Sequence, residues 1–129
     1  MTTSYRIFVL PEKYGVVKLD PGTEINTKGG NSTELLAVIH TPEETTVVCQ
    51  ENIISPGKEV ERGWRALKVG GTLGFELIGV LDSIITPLAE NGVSVYTLST
   101  YSTDFILVKA NLLAKAIKVL KKAGFEIVE

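Results

Sequence analysis

One cysteine, one histidine, three arginines and no long apolar run set the first limits on this 129-residue chain. With Cys49 alone, no intrachain disulfide can form. It lies in Thr46-Val47-Val48-Cys49, a strand-like run that reads as a small buried thiol rather than a nucleophile. Cys49 and His40 cannot build a Cys/His zinc cage. They also sit at opposite ends of one hairpin candidate, which argues against a Cys–His pair. Carboxylate sites for Mg²⁺ or Ca²⁺ stay open, but no EF-hand spacing occurs; the expectation is no metal site and no cofactor. No stretch approaches the roughly 20 apolar residues of a membrane span. The N-terminus lacks a basic segment followed by a long apolar run, because Pro11 cuts Ile7–Leu10 short. A cytoplasmic protein with no membrane partner is the expectation. Excess charge is missing as well. The net charge is −2, and residues 1–63 carry 6 basic and 9 acidic groups against 7 and 6 in the remainder. Neither half is a nucleic-acid surface, and no base-stacking motif is interleaved with Lys or Arg. The arginines are Arg6, Arg62 and Arg65, and none lies in a glycine-rich anion loop. An enzyme acting on acyl phosphates would want its clamp there, so catalysis is not expected.

What the chain does have is an ordinary hydrophobic content of 44%, enough for one domain or two very small ones. Tyr5–Leu10 and Tyr14–Leu19 are strand candidates separated by Pro11-Glu12-Lys13; Asp20-Pro21-Gly22 ends the second. Thr23–Thr33 reads as a loop with Gly29-Gly30-Asn31 at its middle. A phosphate loop is the alternative there, but the Gly-Lys-Ser/Thr ending is absent. Leu35–His40 and Thr45–Gln50 look like paired strands. Thr41-Pro42-Glu43-Glu44 between them has the capping-box arrangement for a single helical turn. Ser55-Pro56-Gly57 is the best boundary in the chain, and the charged run Lys58–Arg62 reads as a solvated connector.

The second half is organised around Val93–Lys109. Val93–Leu98 is a mixed run suited to an outer strand, whereas Phe105–Val108 is apolar without a break and suits a central one. Between them, Ser99-Thr100-Tyr101-Ser102-Thr103-Asp104 carries five hydroxyls and one carboxylate. It reads as a hairpin turn or as a polar lip for a small ligand. Trp64–Val69 is a further strand, followed by a glycine-rich connection. A helix is expected over Gly79–Asn91, with Leu81, Ile84, Ile85 and Leu88 inward and Pro87 as an internal defect. Asn111 is a candidate N-cap for a second helix that turns Leu112, Leu113, Ala116, Ile117 and Leu120 inward. Lys115, Lys118, Lys121 and Lys122 face solvent, and Gly124 stops the helix. Phe125–Val128 is a last strand. The order over residues 64–129 is βαββαβ, an α+β, ferredoxin-like arrangement. A unit this small buries little surface, so the strand-rich first half is expected to lean against it.

Three segments then carry a resemblance. They are Gly63-Trp64-Arg65-Ala66-Leu67-Lys68-Val69 with Gly71-Thr72-Leu73-Gly74-Phe75; Gly79-Val80-Leu81 through Pro87-Leu88-Ala89-Glu90-Asn91-Gly92-Val93; and Ser99 through Val108. Upstream, Thr41-Pro42-Glu43-Glu44-Thr45-Thr46-Val47-Val48-Cys49 is similar to a Thr-x-x-Glu-x-Ser-x-Val-Cys strand, with Thr46 in place of Ser. Together they resemble the small tandem ACT-domain proteins, whose C-terminal unit is similar to the ACT units of the cytosolic arginine-sensor family. The resemblance implies two ferredoxin-like ACT units packed side by side, residues 1–62 as an ACT-like half and 63–129 as the C-terminal ACT domain. It also implies amino-acid sensing and assembly into homo-oligomers.

The expected ligand is a free amino acid, and the expected binding residues are Gly71, Thr72, Leu73, Gly74, Phe75, Ser99, Thr100 and Asp104. The glycine loop would offer backbone N–H groups and a helix N-terminus to a carboxylate; Asp104 could accept from an ammonium or cap its own hairpin. Strands one and three of the βαββαβ sheet are expected as parallel neighbours. That would set Asp104 opposite the start of strand one, away from Gly71, so a pocket using both would need a neighbouring unit. The alternative to a sensor is a protein-interaction domain that assembles through strand edges and holds no ligand.

Overall fold

The computed structural model describes residues 6–25, 35–54, 59–70 and 79–129. Its strands are β1 (Arg6–Leu19), β2 (Leu35–His40), β3 (Thr45–Gln50), β4 (Glu59–Val69), β5 (Tyr96–Ser99), β6 (Asp104–Lys109) and β7 (Glu126–Val128); the helices are α1 (Val80–Glu90) and α2 (Leu113–Lys122). The chain forms two compact units, one of Met1–Pro11 with Arg65–Glu129 and one of Glu12–Trp64, so that β1 and β4 each run through both.

In the larger unit the strand order is β7-β1-β4-β6-β5. Both helices contribute to one core. Val80, Ile84 and Leu88 of α1, Ala116 and Leu120 of α2, Ile7, Leu67, Val69, Ile106 and Val108 of the strands, and Val93 are all buried in it. Leu81 of α1, Leu113 and Val119 of α2, and Leu112 just before α2 pack against this cluster. This is the α+β, ferredoxin-like layer that the pattern of elements predicts, with one addition. The first residues of β1 pair in parallel with β7 through Arg6↔Glu126, Ile7↔Ile127 and Phe8↔Val128. An N-terminal segment thus stands between the last strand of the βαββαβ unit and its first.

Both helices end as their glycines foretell. Val93 N–H donates to Leu88 C=O and Gly92 N–H to Ala89 C=O, with Gly92 at φ 75°. Phe125 and Gly124 repeat those bonds on Leu120 and Lys121, with Gly124 at φ 104°. These are Schellman stops, and Val93 and Phe125 supply the apolar contact that accompanies them. Val93 is therefore spent on the helix stop, which is why β5 begins only at Tyr96. Pro87 stays inside α1, and Asn91 Nδ2 donates to its carbonyl at 2.7 Å. Asn111 is not a cap. It sits in a 3-10 turn, Ala110–Leu112, that leads into α2, and the cap position falls on Leu112.

In the smaller unit β2 and β3 pair antiparallel, His40 opposite Thr45 and Leu35 opposite Cys49. Cys49 is buried with Val17 and Val47, well away from His40, whose Nδ1 lies 2.9 Å from the hydroxyl of the fully buried Thr45. Thr41 does cap, accepting from the Glu43 and Glu44 N–H groups, yet no helical turn forms. Its own N–H donates to the Glu44 carbonyl at 2.9 Å, which closes the segment as a strand-to-strand turn. The Tyr14 hydroxyl is held above its ordinary pKa of 10.0 by burial first and by the Glu12 charge second, with a side-chain hydrogen bond from Gln50 acting the other way.

Two further expectations are corrected here. Tyr5–Leu10 and Tyr14–Leu19 are not separate strands, because β1 continues through Pro11. It pairs with β7 as far as Phe8 and with β3 from Tyr14 onward. Pro11 falls in the gap between those pairings, where a missing N–H costs the ladder least. Lys58–Arg62 is not a connector, since β4 begins at Glu59. Glu59 and Glu61 are exposed while Val60 packs into the core of the smaller unit, which is the period of a strand. The boundary signal Ser55-Pro56-Gly57 and the loop signal Gly29-Gly30-Asn31 lie outside the described residues.

Candidate functional site

Of the eight residues expected to bind ligand, Gly71, Thr72, Leu73, Gly74 and Phe75 lie outside the described residues. Ser99, Thr100 and Asp104 are described and stand together at one end of the larger unit. Ser99 and Asp104 are the last cross-strand pair of the β5–β6 hairpin. Such pairs bring side chains within reach of each other, and the Ser99 hydroxyl donates to Asp104 Oδ1. The turn between them is closed on itself. Thr100 N–H donates to Thr103 C=O at 2.8 Å, and Thr103 N–H donates to Thr100 Oγ1 at 3.2 Å. Tyr101 at the tip is 83% exposed.

The direction of β6 differs from the expected one. The Thr103 hydroxyl donates to Val69 C=O at 2.5 Å. Val69 ends β4, and Thr103 immediately precedes β6, so the end of one strand meets the start of its neighbour. The two strands are therefore antiparallel, not parallel. The cause is the connection through α1. A strand–helix–strand crossover brings β5 back parallel to β4. Its hairpin partner β6, antiparallel to β5, must then oppose β4 as well. The polar turn consequently lies beside the point where the chain leaves for Gly71, and one unit presents both features at one end.

That departure point is tightly held. Gly70 N–H donates to Arg6 C=O at 2.7 Å. A Cβ on Gly70 would stand 2.5 Å from Phe8 Cε2 and 3.0 Å from the Arg6 oxygen, so only glycine fits this approach. Further on, Gly79 (φ 85°) is the cap residue of α1 and, as a glycine, has no side chain to cap it with. The first N–H groups of an α-helix find no partner within the helix itself. Among the described residues no group of three or more His, Cys, Asp or Glu is placed to hold a metal. No helix of the described residues is long and apolar enough to cross a membrane.

Sequence reasoning missed Thr103 and the main-chain groups of Arg6 and Val69. Thr103 was legible only as one more hydroxyl of the turn; its role depends on the direction of β6.

A βαββαβ layer of this kind, with a polar hairpin turn beside the first strand's end, defines a ferredoxin-like domain. Residues 59–122 match the family described as ACT domain. Over 100 residues the chain is 36% identical to the cytosolic arginine sensor for mTORC1 subunit 1 of Bos taurus; the match takes in 69% of this chain and 30% of that protein. The chain thus spans less than a third of that curated relative. The crystal structure of protein Atu0741 from Agobacterium tumefaciens is similar with a TM-score of 0.88 and 27% identity, over 98% of this chain and 94% of that one. The regulatory subunit of aspartate kinase from Thermus thermophilus shares the fold, with a TM-score of 0.63 and 9% identity, over 96% of this chain and 99% of that one.

Proposed function

We propose that this chain is a non-catalytic regulatory module that binds a free amino acid at the end of its sheet where β4 and the β5–β6 turn meet. The observation that carries the reading is the Thr103–Val69 contact, which places the Ser99–Asp104 pair beside the chain's departure toward Gly71. An amino acid needs acceptors for its ammonium and N–H donors for its carboxylate. Asp104, Ser99 and Thr100 supply the first kind of group. In this reading the backbone N–H groups of Gly71, Thr72, Leu73, Gly74 and Phe75, together with the first N–H groups of α1, are the second kind. The names of two similar proteins, an arginine sensor and a regulatory subunit of aspartate kinase, support a sensing role. We further read residues 1–62 as an ACT-like half that accompanies the ACT domain in 63–129, and the working form as a cytoplasmic homo-oligomer that requires no cofactor.

Thermal unfolding in the presence of each common amino acid, singly and at millimolar concentration, tests the reading. A ligand that binds the folded state must raise its midpoint in a concentration-dependent way. A flat response to all of them would leave the alternative, an interaction domain that assembles through its strand edges without a ligand. Edge strand β5 supports that second reading, because it pairs with β6 on one side and ends the sheet on the other.

A further inference from the structure

We propose that Thr103 is the positioning residue of this site, a latch that holds the β5–β6 turn and the Val69–Gly70 peptide in one fixed relation; the inference rests on the amino-acid-binding reading. The Val69–Gly70 peptide group is secured on both of its polar atoms. Its carbonyl accepts from Thr103 Oγ1 at 2.5 Å, and its N–H donates to Arg6 C=O at 2.7 Å. Phe8, whose ring closes over Gly70, leaves this peptide little room to shift.

The same threonine governs the turn from within. Its carbonyl accepts the Thr100 N–H, and its own N–H donates to Thr100 Oγ1. The next residue, Asp104, carries the carboxylate that takes the Ser99 hydroxyl. To the pairing of β4 with β6, this side chain adds a direct link between the turn that carries the described groups of the proposed site and the end of β4. A ligand drawn to Asp104 finds the first strand's end already in register. Such a contact matters more for binding than for the fold, because the hairpin has its own ladder, Tyr96↔Leu107 through Ser99↔Asp104. Thr103 does not itself need to touch the ligand.

Thr103→Val keeps the β-branched shape and removes the donor; Thr103→Ser keeps the donor. Two readouts on the full chain separate the possibilities. The first, without ligand, is amide hydrogen exchange at Gly70 and through residues 99–104. The second is the half-saturation concentration of whichever common amino acid stabilises the wild type, taken relative to each variant's own unliganded midpoint. The latch predicts faster exchange at Gly70 in Thr103→Val and a half-saturation raised about fivefold, the size of one ordinary hydrogen bond. Both should return toward wild type in Thr103→Ser. Unchanged exchange at Gly70, or faster exchange with an unchanged half-saturation, overturns the proposal. Should the wild type answer to no amino acid, the sensing reading is what falls, and the exchange data still decide whether Thr103 couples the two segments.

Discussion

Ser99 donates its hydroxyl to Asp104 across the last rung of the β5–β6 hairpin, directly opposite it in register. This contact makes Asp104 part of the fold as well as a candidate ligand group, and an isosteric change separates the two roles. Asp104→Asn retains an oxygen that can accept from Ser99 but loses the charge. The expected result is a stability change below about 1 kcal/mol, as for a neutral hydrogen bond replacing a charge-assisted one. The stabilisation by amino acids should fall about tenfold or more in concentration terms, since a charged partner is lost. Equal responses from wild type and Asp104→Asn would remove Asp104 from the site.

Arg65 reaches across to a main-chain carbonyl. Its Nη2 donates to Leu10 C=O at 3.0 Å, next to Pro11, which has no N–H to offer. The Nε of the same guanidinium is buried without a hydrogen-bond partner among the described residues, so the arrangement carries a cost of its own. Losing the charged donor is the larger effect, because such bonds contribute about 1.5–3 kcal/mol and the unmet Nε returns only part of that. Arg65→Ala should lower unfolding stability by about 1–2 kcal/mol with an unchanged urea m-value. A variant as stable as wild type would show that Leu10 needs no such donor.

Gly70 tests close packing in the same unit. A methyl group there meets the Phe8 ring and the Arg6 carbonyl at once. The ring can shift, whereas the main-chain oxygen cannot do so without breaking its own bond to Gly70. Gly70→Ala is expected to destabilise by about 1–3 kcal/mol, the range for overpacking. The added change Phe8→Leu should recover only part of the loss, because the contact with the Arg6 oxygen remains. Full recovery would contradict this division of the strain.

Tyr14 gives a pH signature. Its hydroxyl titrates above 10.0 in the folded chain, chiefly because it is buried and next because Glu12 is near. The folded state then binds a proton that the unfolded state has already released, so the stability contribution is complete below pH 10.0 and is lost as pH rises through the folded pKa. Unfolding midpoints measured upward from pH 10.0 should decline more steeply for wild type than for Tyr14→Phe. Parallel declines would place the ionisation elsewhere.

Much of this fold is legible residue by residue. β2 and β3 fall on the two runs that look like paired strands in the sequence, and both helix ends follow from Gly92 and Gly124, whose positive φ no other residue type adopts as readily. What escapes is set by partners distant in sequence. Pro11 reads as a strand end because local rules cannot know that β1 lacks a neighbour on one side there. Glu59 and Glu61 read as a connector because their charges mask the inward Val60. Asn111 reads as a cap because nothing local announces a 3-10 turn in front of α2. For the site, Ser99, Thr100 and Asp104 are visible as a polar turn, but their neighbour is not. The hairpin's relation to β4 depends on the direction in which the α1 crossover returns β5, and an error in that one direction sends the turn to the wrong end of the sheet.

The central claim is that one end of the larger unit, around Ser99–Asp104 and Gly70, receives an amino acid. A heteronuclear NMR titration of the uniformly labelled chain with each common amino acid tests it most directly. The account predicts saturable amide shifts at Gly70, at Ser99 through Asp104 and in the first turn of α1 for at least one of them, and weaker effects elsewhere. Saturable shifts confined to other elements, or no saturable shift with any amino acid at millimolar concentration, would contradict it.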